Sequence, residues 1–162
     1  MKLRIGYGID YHQLEDNIPF WIGGIRVPHH KGAKGHSDAD VLLHAICDAM
    51  LGALALGDIG VHFPDTDAAY KGIDSKILLQ RTYELIRDKG YHVNNIDSTL
   101  ILEQPKIKPH ITAMQETIAG ILNIDTDAIS VKATTAEKMG FVGRQEGVVA
   151  HAVALLVQDE RH

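Results

Sequence analysis

The chain has 162 residues, of which 45% are hydrophobic and 23% charged, and its formal net charge is -5 at pH 7. These values are typical of one globular domain with its own core, predicted here over residues 1–162, and the negative charge disfavours nucleic-acid partners. The single cysteine, Cys47, excludes an internal disulfide and a multi-cysteine zinc site.

No apolar run reaches membrane-spanning length, so no membrane partner is expected. The N-terminal stretch lacks the composition of a signal or transit peptide, which predicts a cytoplasmic location. Cys47 falls in an apolar segment and is predicted to be an inert core residue.

The first predicted element is a strand from Leu3 to His12, interrupted by Gly6 and Gly8. Glycine within a strand indicates that a backbone or a ligand approaches closely. Asp10 and His12 are two residues apart and therefore share one face of the strand. Such a pair is either half of a metal site or a plain hydrogen-bonded pair, and the motif alone does not decide.

A short hairpin is predicted next, with Phe20–Ile22 and Ile25–Val27 as its strands and two glycines at its turn. Residues 29–31 are then expected to form a solvated loop.

A helix is predicted from Ser37 to about Leu56, with Ser37 and Asp40 as an N-terminal capping box. Most of its circumference is apolar, which indicates a buried helix. Asp40, His44 and Asp48 recur every four residues and form a narrow polar stripe. Because buried ionisable groups need partners, the stripe is either a structural hydrogen-bond chain or part of a metal or phosphate site.

Residues 57–72 are rich in glycine and aspartate and show no periodicity, which predicts a loop. Its acidic residues Asp58, Asp65 and Asp67 suit turns, and taken singly each is more simply a turn former than a functional group.

The following segments alternate between helix and strand. Apolar residues recur on one side of Ser75–Lys89 and of Pro109–Leu122, which predicts two amphipathic helices. Val93–Glu103 and Ile129–Thr135 are predicted to be strands.

Glu146–Gln158 is predicted to be the last and longest strand, and it is apolar on both faces. Too few helices are predicted to cover both sides of a sheet, so a second copy of the chain is expected to cover one side. The order of elements predicts an α+β fold: a single mixed β-sheet with helices on one face, the second face being buried in a homo-oligomer.

Polar residues concentrate between the last two strands, from Thr134 to Gly147. Hydroxyl groups there can donate to phosphate oxygens, a glutamate can hold a hard cation, and an arginine can bind a diphosphate. An equally open interpretation is a capped turn with Thr135 as N-cap, followed by a surface pair between Arg144 and Glu146.

Three segments together resemble the 2-C-methyl-D-erythritol 2,4-cyclodiphosphate synthase family: Asp10-x-His12, the block His36–Asp67 and the segment Lys132–Gly147. The resemblance implies a phosphorus–oxygen lyase of the methylerythritol phosphate route to isoprenoids. In that reaction, the 2-phosphate of 4-diphosphocytidyl-2-C-methyl-D-erythritol 2-phosphate attacks the β-phosphate of the same molecule. The products are the cyclic diphosphate and CMP. The resemblance also implies a homotrimer with active sites between subunits.

The resemblance further implies the roles of individual residues. The implied ligands of one zinc ion per subunit are Asp10, His12 and His44. Glu137 is implied to hold a second divalent cation, Mg²⁺ or Mn²⁺. His36 and Thr135 are the implied catalytic residues, as stabilisers of the transition state. The residues implied to contact the substrate are Asp10, His12, His36, Ser37, Asp58, Gly60, Phe63, Asp65, Asp67, Leu102, Lys106, Lys108, Thr134, Thr135, Glu137, Phe141 and Arg144.

One carboxylate and two imidazoles would leave a zinc ion one open position, as a catalytic zinc requires. Asp48, one turn after His44, is predicted to orient that imidazole. Two alternatives remain. One is a zinc hydrolase that activates water at the open position, with Asp58 or Glu137 as its base; the other is a binding or carrier module that merely holds metal.

Overall fold

The computed structural model describes residues 1–160. The strands are β1 (Leu3–Asp16), β2 (Phe20–Ile22), β3 (Ile25–Val27), β4 (Lys31–Lys34), β5 (Tyr91–Ile101), β6 (Ile129–Thr134) and β7 (Gly147–Gln158). The α-helices are α1 (Val41–Ala53), α2 (Ile59–His62), α3 (Ser75–Asp88), α4 (Ile111–Leu122) and α5 (Gly140–Gly143). Short 3₁₀ turns cover Ala68–Tyr70, Lys108–His110 and Thr126–Ala128.

Five strands form a mixed sheet in the order β4-β1-β7-β5-β6. β5 and β6 run parallel, and the other neighbours are antiparallel. Helix α1 packs across β1 and β7, while α3 and α4 pack against β5 and β6. The mixed α+β fold predicted from the order of elements is therefore confirmed. The expectation of a single sheet was wrong in one respect, because β2 and β3 form a separate two-stranded sheet.

Strand β4 was missed, and residues 29–31 are not simply a loop. The last four residues of β1 pair with it, from Gln13 with Lys34 to Asp16 with Lys31, which carries β1 four residues beyond its predicted end. The segment Lys31–Lys34 lacks the alternation of apolar residues that marks a strand, so its partner strand and not its own sequence defines it.

Helix α1 lies directly on β1 because two glycines leave room for its backbone. A Cβ atom on Gly6 would lie 1.8 Å from the carbonyl oxygen of Ala49, and one on Gly8 would lie 1.9 Å from that of Ala45. The interruption of the strand pattern thus marks the close approach of a backbone. It also brings His44, one residue before Ala45, next to Asp10 in β1.

We expect Gly8→Ala to lower the free energy of unfolding by about 3 kcal/mol, because the methyl group would push α1 away from the sheet. Gly120→Ala is the matched control. Gly120 lies in α4, and a Cβ atom added to it would meet nothing within 4 Å, so the same change should stabilise the helix by about 0.5–1 kcal/mol. Urea unfolding of both variants measures the difference, and equal stability of the two would contradict this account.

The start of α1 differs from the predicted capping box. The helix begins at Val41, and Asp40 itself is the N-cap residue, whose carboxylate accepts from the N–H of Leu43 at 3.0 Å. The same carboxylate accepts from the N–H groups of Gly23 at 2.9 Å and Gly24 at 2.7 Å, at the turn of the β2–β3 hairpin. Asp40 therefore ties the hairpin to the helix and does not face the candidate site.

The central helix is otherwise as buried as its composition predicts, and its cysteine is a core residue. Cys47 is buried, and burial raises the pKa of its thiol to about 12. Within residues 1–160, no helix is both long and apolar enough to cross a membrane.

The sheet face opposite the helices is apolar and exposed in the single chain. Ile5 is 72% exposed. The other large apolar side chains exposed on this face are Leu3, Tyr7, Tyr11 and Val153. Contiguous exposed apolar surface of this kind marks an interaction site. We call these five residues the open sheet face.

Candidate active site

Three side chains from two elements converge beside the helix–strand contact. Asp10 and His12 come from β1 and His44 from α1, and their potential ligand atoms all lie within 4.8 Å of one another. Oδ2 of Asp10 is 2.9 Å from Nδ1 of His12 and 3.2 Å from Nδ1 of His44. Both imidazoles thus turn the same ring nitrogen towards one carboxylate oxygen.

The donor set fits a metal ion. Nδ1 of His12 is buried and has no hydrogen-bond partner of acceptable geometry among the described residues, despite its short distance to Asp10. Buried polar atoms are nearly always paired, so an unpaired imidazole nitrogen in a cluster of ligands indicates a position for a cation. A carboxylate with two imidazoles is a common catalytic zinc set.

Charge within the cluster favours its ionised forms. Burial opposes ionisation of Asp10, but contacts with the imidazoles of His12 and His44 outweigh it and hold the pKa of Asp10 below its ordinary value. Burial likewise lowers the pKa of His44, yet the neighbouring carboxylate of Asp10 raises that pKa above its ordinary value. The cluster therefore keeps its carboxylate available as a ligand at neutral pH.

The orienting role predicted for Asp48 does not match its contacts. Its carboxylate accepts from the N–H of Ile59 at 2.8 Å and makes no hydrogen bond to His44. Nε2 of His44 is instead 2.9 Å from Oγ of Ser75 and 3.2 Å from Oγ of Ser37. Asp48 therefore holds the start of α2 and not the imidazole.

A cavity of about 440 Å³ adjoins the cluster. Eight of the residues singled out in the sequence line it: Asp10, His12, His36, Ser37, His44, Gly60, Phe63 and Asp65. The lining also contains residues that sequence reasoning missed: Ile59, Pro64, Thr66, Tyr70, Ile73 and Leu78. Most of these lie within residues 57–72, the segment predicted to be a loop, but their types carry no chemical signature of their own.

Asp58 and Asp67 do not line this cavity. Asp58 caps α2 by accepting from the N–H of Val61 at 3.1 Å, and Asp67 caps the following 3₁₀ turn by accepting from the N–H of Ala69 at 2.9 Å. Both side chains therefore act as the turn formers that their composition favours.

The second polar segment is organised by a residue that the sequence reasoning overlooked. Oε1 of Glu103 accepts from the N–H of Ala136 at 2.8 Å and from that of Lys138 at 3.4 Å. Oγ1 of Thr135 accepts from the N–H of Glu137 at 3.2 Å. Glu137 has a φ of 53°, a left-handed conformation that these hydrogen bonds hold in place.

Four further residues that are predicted to contact the substrate do not line the cavity: Leu102, Lys106, Lys108 and Thr134. The N–H of buried Leu102 donates to the carbonyl of Thr134 at 3.0 Å. Lys106 and Lys108 follow on an exposed stretch.

The strand register separates the cluster of Asp10, His12 and His44 from the Thr134–Glu137 segment. Asp10 pairs with Ala150 of β7, Ala150 with Leu100 of β5, and Leu100 with Ala133 of β6. Three strand spacings, about 14 Å, therefore lie between Asp10 and Ala133. The next residue, Thr134, points to the opposite face of the sheet. One chain by itself does not bring Thr134 and Asp10 to the same point.

Phe141 lies near the open sheet face, and Arg144 lies at the surface. The rings of Phe141 and Tyr11 are 6.0 Å apart between centroids. Nε of Arg144 is 2.9 Å from Oε1 of Glu146, and both side chains are exposed. The surface pair considered from the sequence is thus present.

Comparison with known proteins places this geometry in a family. The YgbB family pattern matches residues 3–157. The 2-C-methyl-D-erythritol 2,4-cyclodiphosphate synthase of Bacteroides thetaiotaomicron is 58% identical over 159 residues, which cover 98% of this chain and all of the relative. The enzyme of the same name from Chloroherpeton thalassium is 62% identical over 154 residues, 95% of this chain and 98% of the relative.

Solved structures of similar proteins superpose on this chain. The bifunctional IspDF from Campylobacter jejuni superposes with a TM-score of 0.94 at 41% identity, covering 98% of this chain and 43% of that longer one. A 2C-methyl-D-erythritol-2,4-cyclodiphosphate synthase in its CDP-bound form superposes with a TM-score of 0.88 at 36% identity, covering 95% of this chain and 100% of the other. The chain therefore belongs to the YgbB family, that of the 2-C-methyl-D-erythritol 2,4-cyclodiphosphate synthases.

Proposed function

We propose that this chain cyclises 4-diphosphocytidyl-2-C-methyl-D-erythritol 2-phosphate to 2-C-methyl-D-erythritol 2,4-cyclodiphosphate and releases CMP, as a lyase of isoprenoid biosynthesis. The observation that carries the proposal is the convergence of Asp10, His12 and His44 beside a cavity large enough for a phosphorylated polyol. The CDP-bound relative supports a cytidine diphosphate substrate.

Asp10, His12 and His44 would hold the zinc ion, which would supply charge neutralisation at the β-phosphate. The nucleophile is already a phosphate oxyanion, so the protein does not need a strong general base. Its task is to hold two anions in line, by positioning and by fixed donors. His36 and Ser37, at the mouth of the cavity, are the residues we assign to the phosphate nearest the metal centre.

The Thr134–Glu137 segment and the residues beside it would hold the leaving nucleotide. Thr134 and Thr135 supply hydroxyl donors, Lys106 supplies a cation, and Leu102 packs beside them. Glu137 would hold the second divalent cation, Mg²⁺ or Mn²⁺, which would neutralise charge between the α- and β-phosphates. Its exposed carboxylate and constrained backbone support that assignment.

We infer a homotrimer in which the metal centre of one subunit meets the Thr134–Glu137 segment of its neighbour. Two observations support it. The open sheet face is apolar and uncovered in one chain, and strand register keeps the two groups of site residues apart within one chain. A cyclic assembly that buries the open sheet face satisfies both requirements.

We also propose that residues 1–162 form one domain, since one core cluster joins residues from Leu14 to Leu156. A cytoplasmic location remains part of the proposal, supported by a single, buried cysteine that is suited to a reducing compartment.

Phosphorus NMR of the purified protein with the cytidyl substrate and divalent cations tests the function. We expect the cyclic diphosphate and CMP in equal amounts. Linear phosphates would instead indicate a metal-dependent hydrolase, and an unchanged substrate spectrum would indicate a binding module.

Thr135→Ala is expected to slow CMP release roughly 10²-fold while zinc content stays at the wild-type level, because a donor to the developing charge is lost and none of the proposed zinc ligands is touched. Thr126→Ala is the control: it removes a hydroxyl from the 3₁₀ turn before β6, away from Thr134 and Thr135, and should leave the rate unchanged. A wild-type rate in Thr135→Ala would refute the role of this hydroxyl.

A further inference from the structure

Two side chains to which the sequence assigned no role, those of Ser75 and Asp38, form a hydrogen-bond chain to Nε2 of the His44 imidazole. Ser75 is the first residue of α3 and is fully buried, and its Oγ lies 2.9 Å from Nε2 of His44. The hydroxyl of Ser75 in turn donates to Oδ1 of Asp38. Asp38 thus reaches His44 through Ser75.

The direction of these hydrogen bonds follows from counting protons. A serine hydroxyl has one proton to donate, and Ser75 gives it to the carboxylate of Asp38, which is acceptor-only when ionised. Towards His44 the oxygen of Ser75 can then only accept. Nε2 of His44 must therefore carry a proton, so Nδ1 is the nitrogen whose lone pair is available to a metal ion when the imidazole is neutral.

The carboxylate of Asp38 is held by further donors that keep it in place. Its Oδ2 accepts from the N–H of Ser75 at 3.0 Å, and its Oδ1 accepts from the N–H of Asp40 at 3.2 Å. The N–H of Asp38 donates to the carbonyl of Ile73 at 3.1 Å. Asp38 therefore joins the start of α1 to the start of α3 around the imidazole.

The oxygen of Ser37 does not alter this assignment. It lies 3.2 Å from Nε2 of His44 and accepts from the N–H of Ala39 at 3.1 Å, so a second lone pair is free to share the same Nε2 proton. No other side chain forms a hydrogen bond with Nε2 among the described residues.

We propose that Asp38 and Ser75 are positioning residues that fix His44 in the tautomer with Nε2 protonated and Nδ1 directed at the metal centre. The inference rests on the metal centre of the proposed function. Imidazole ligands elsewhere need such a partner on the second nitrogen, and its loss weakens metal binding roughly 10- to 100-fold. Here the partner of Nε2 is the hydroxyl of Ser75, which is itself hydrogen-bonded to the carboxylate of Asp38.

The test compares Ser75→Ala and Asp38→Ala with Asp74→Ala. Ser75→Ala removes the acceptor, and Asp38→Ala frees the serine proton to point at Nε2. Asp74 caps the same helix through the N–H of Lys76 but does not contact His44, so Asp74→Ala controls for a weakened start of α3. Thermal unfolding of the metal-stripped proteins shows that each variant is folded.

Two readouts are required. Zinc affinity, from competition with a chelator, should fall roughly 10- to 100-fold in Ser75→Ala and Asp38→Ala and stay unchanged in Asp74→Ala. Long-range ¹H–¹⁵N NMR of metal-stripped protein should show Nε2 of His44 protonated in the wild type and in Asp74→Ala. In the other two variants we expect this resonance to move towards the unprotonated position.

Wild-type zinc affinity in both Ser75→Ala and Asp38→Ala, or an unprotonated Nε2 in the wild type, would overturn the relay and leave the metal centre standing. An equal loss of affinity in Asp74→Ala would also overturn it, because helix stability alone would then explain the effect. Absence of zinc binding in the wild type would instead contradict the proposed function, while the NMR result would still decide the protonation of His44.

Discussion

His44→Ala is expected to lose its bound zinc and to lower the rate of CMP release on the order of 10³-fold or more. The imidazole is one of the three proposed zinc ligands, it is almost fully buried, and its Nδ1 is 3.2 Å from the carboxylate of Asp10. Its removal would leave two ligands, too few to hold the zinc ion that would neutralise charge on the substrate. Loss of one preorganised electrostatic group alone costs about 10²–10³ in rate, and here the metal is lost with it.

Zinc content and CMP release, measured on the same preparation, test this expectation. His30→Ala is the matched control, because His30 is exposed on the loop before β4 and does not line the cavity. The control should keep both zinc and turnover. If His44→Ala loses zinc but turns over the cytidyl substrate at the wild-type rate, the metal centre is structural and the proposed mechanism is wrong.

Ile5→Glu is expected to convert the assembly to monomers that still bind zinc but no longer cyclise the substrate. Ile5 is 72% exposed at the centre of the open sheet face, and the proposed assembly buries it. A carboxylate without a partner is costly to bury, so association should fail. The three proposed metal ligands lie on the helix side of the sheet and within one chain, so the monomer should keep the zinc site.

Sedimentation, zinc content and turnover together test the assembly. Ile77→Glu is the control, since Ile77 is a 45% exposed isoleucine on α3 and lies outside the open sheet face. It should remain associated and active. Full turnover by a monomeric Ile5→Glu would contradict an active site shared between subunits.

Much of the fold follows from local sequence signals. The bounds of the hairpin strands Phe20–Ile22 and Ile25–Val27 agree with the prediction to the residue, because a glycine pair between two apolar runs specifies a hairpin locally. Strand β4 could not be found in this way, since it is defined only by pairing with β1.

The polar stripe on the central helix shows where periodicity is insufficient. Spacing placed Asp40, His44 and Asp48 on one side of α1, yet each has a different partner: the hairpin turn, the metal cluster and the start of α2. A spacing of four residues predicts which side chains share a face of the helix. It does not predict the elements that those side chains contact, which come from distant parts of the chain.

The candidate metal cluster could be predicted from the sequence because its residue types are chemically distinctive, and the strand pattern predicted the common face of Asp10 and His12. The contacts of Ser75 and Asp38 with the cluster could not be predicted from the sequence. A serine at the first position of a helix and an aspartate in a loop are ordinary capping residues. Only the tertiary structure brings Ser75, which is 31 residues further along the chain, to His44 and joins it to Asp38.

A mixing experiment tests the central claim, that each active site joins the metal centre of one subunit to the Thr134–Glu137 segment of another. His44→Ala and Thr135→Ala subunits, each nearly inactive alone, are unfolded together in equal amounts and refolded. Random trimers then contain intact sites formed from two different chains, and about one quarter of the wild-type CMP release should return. If the mixture is no more active than its two components, the two groups of residues do not act across subunits.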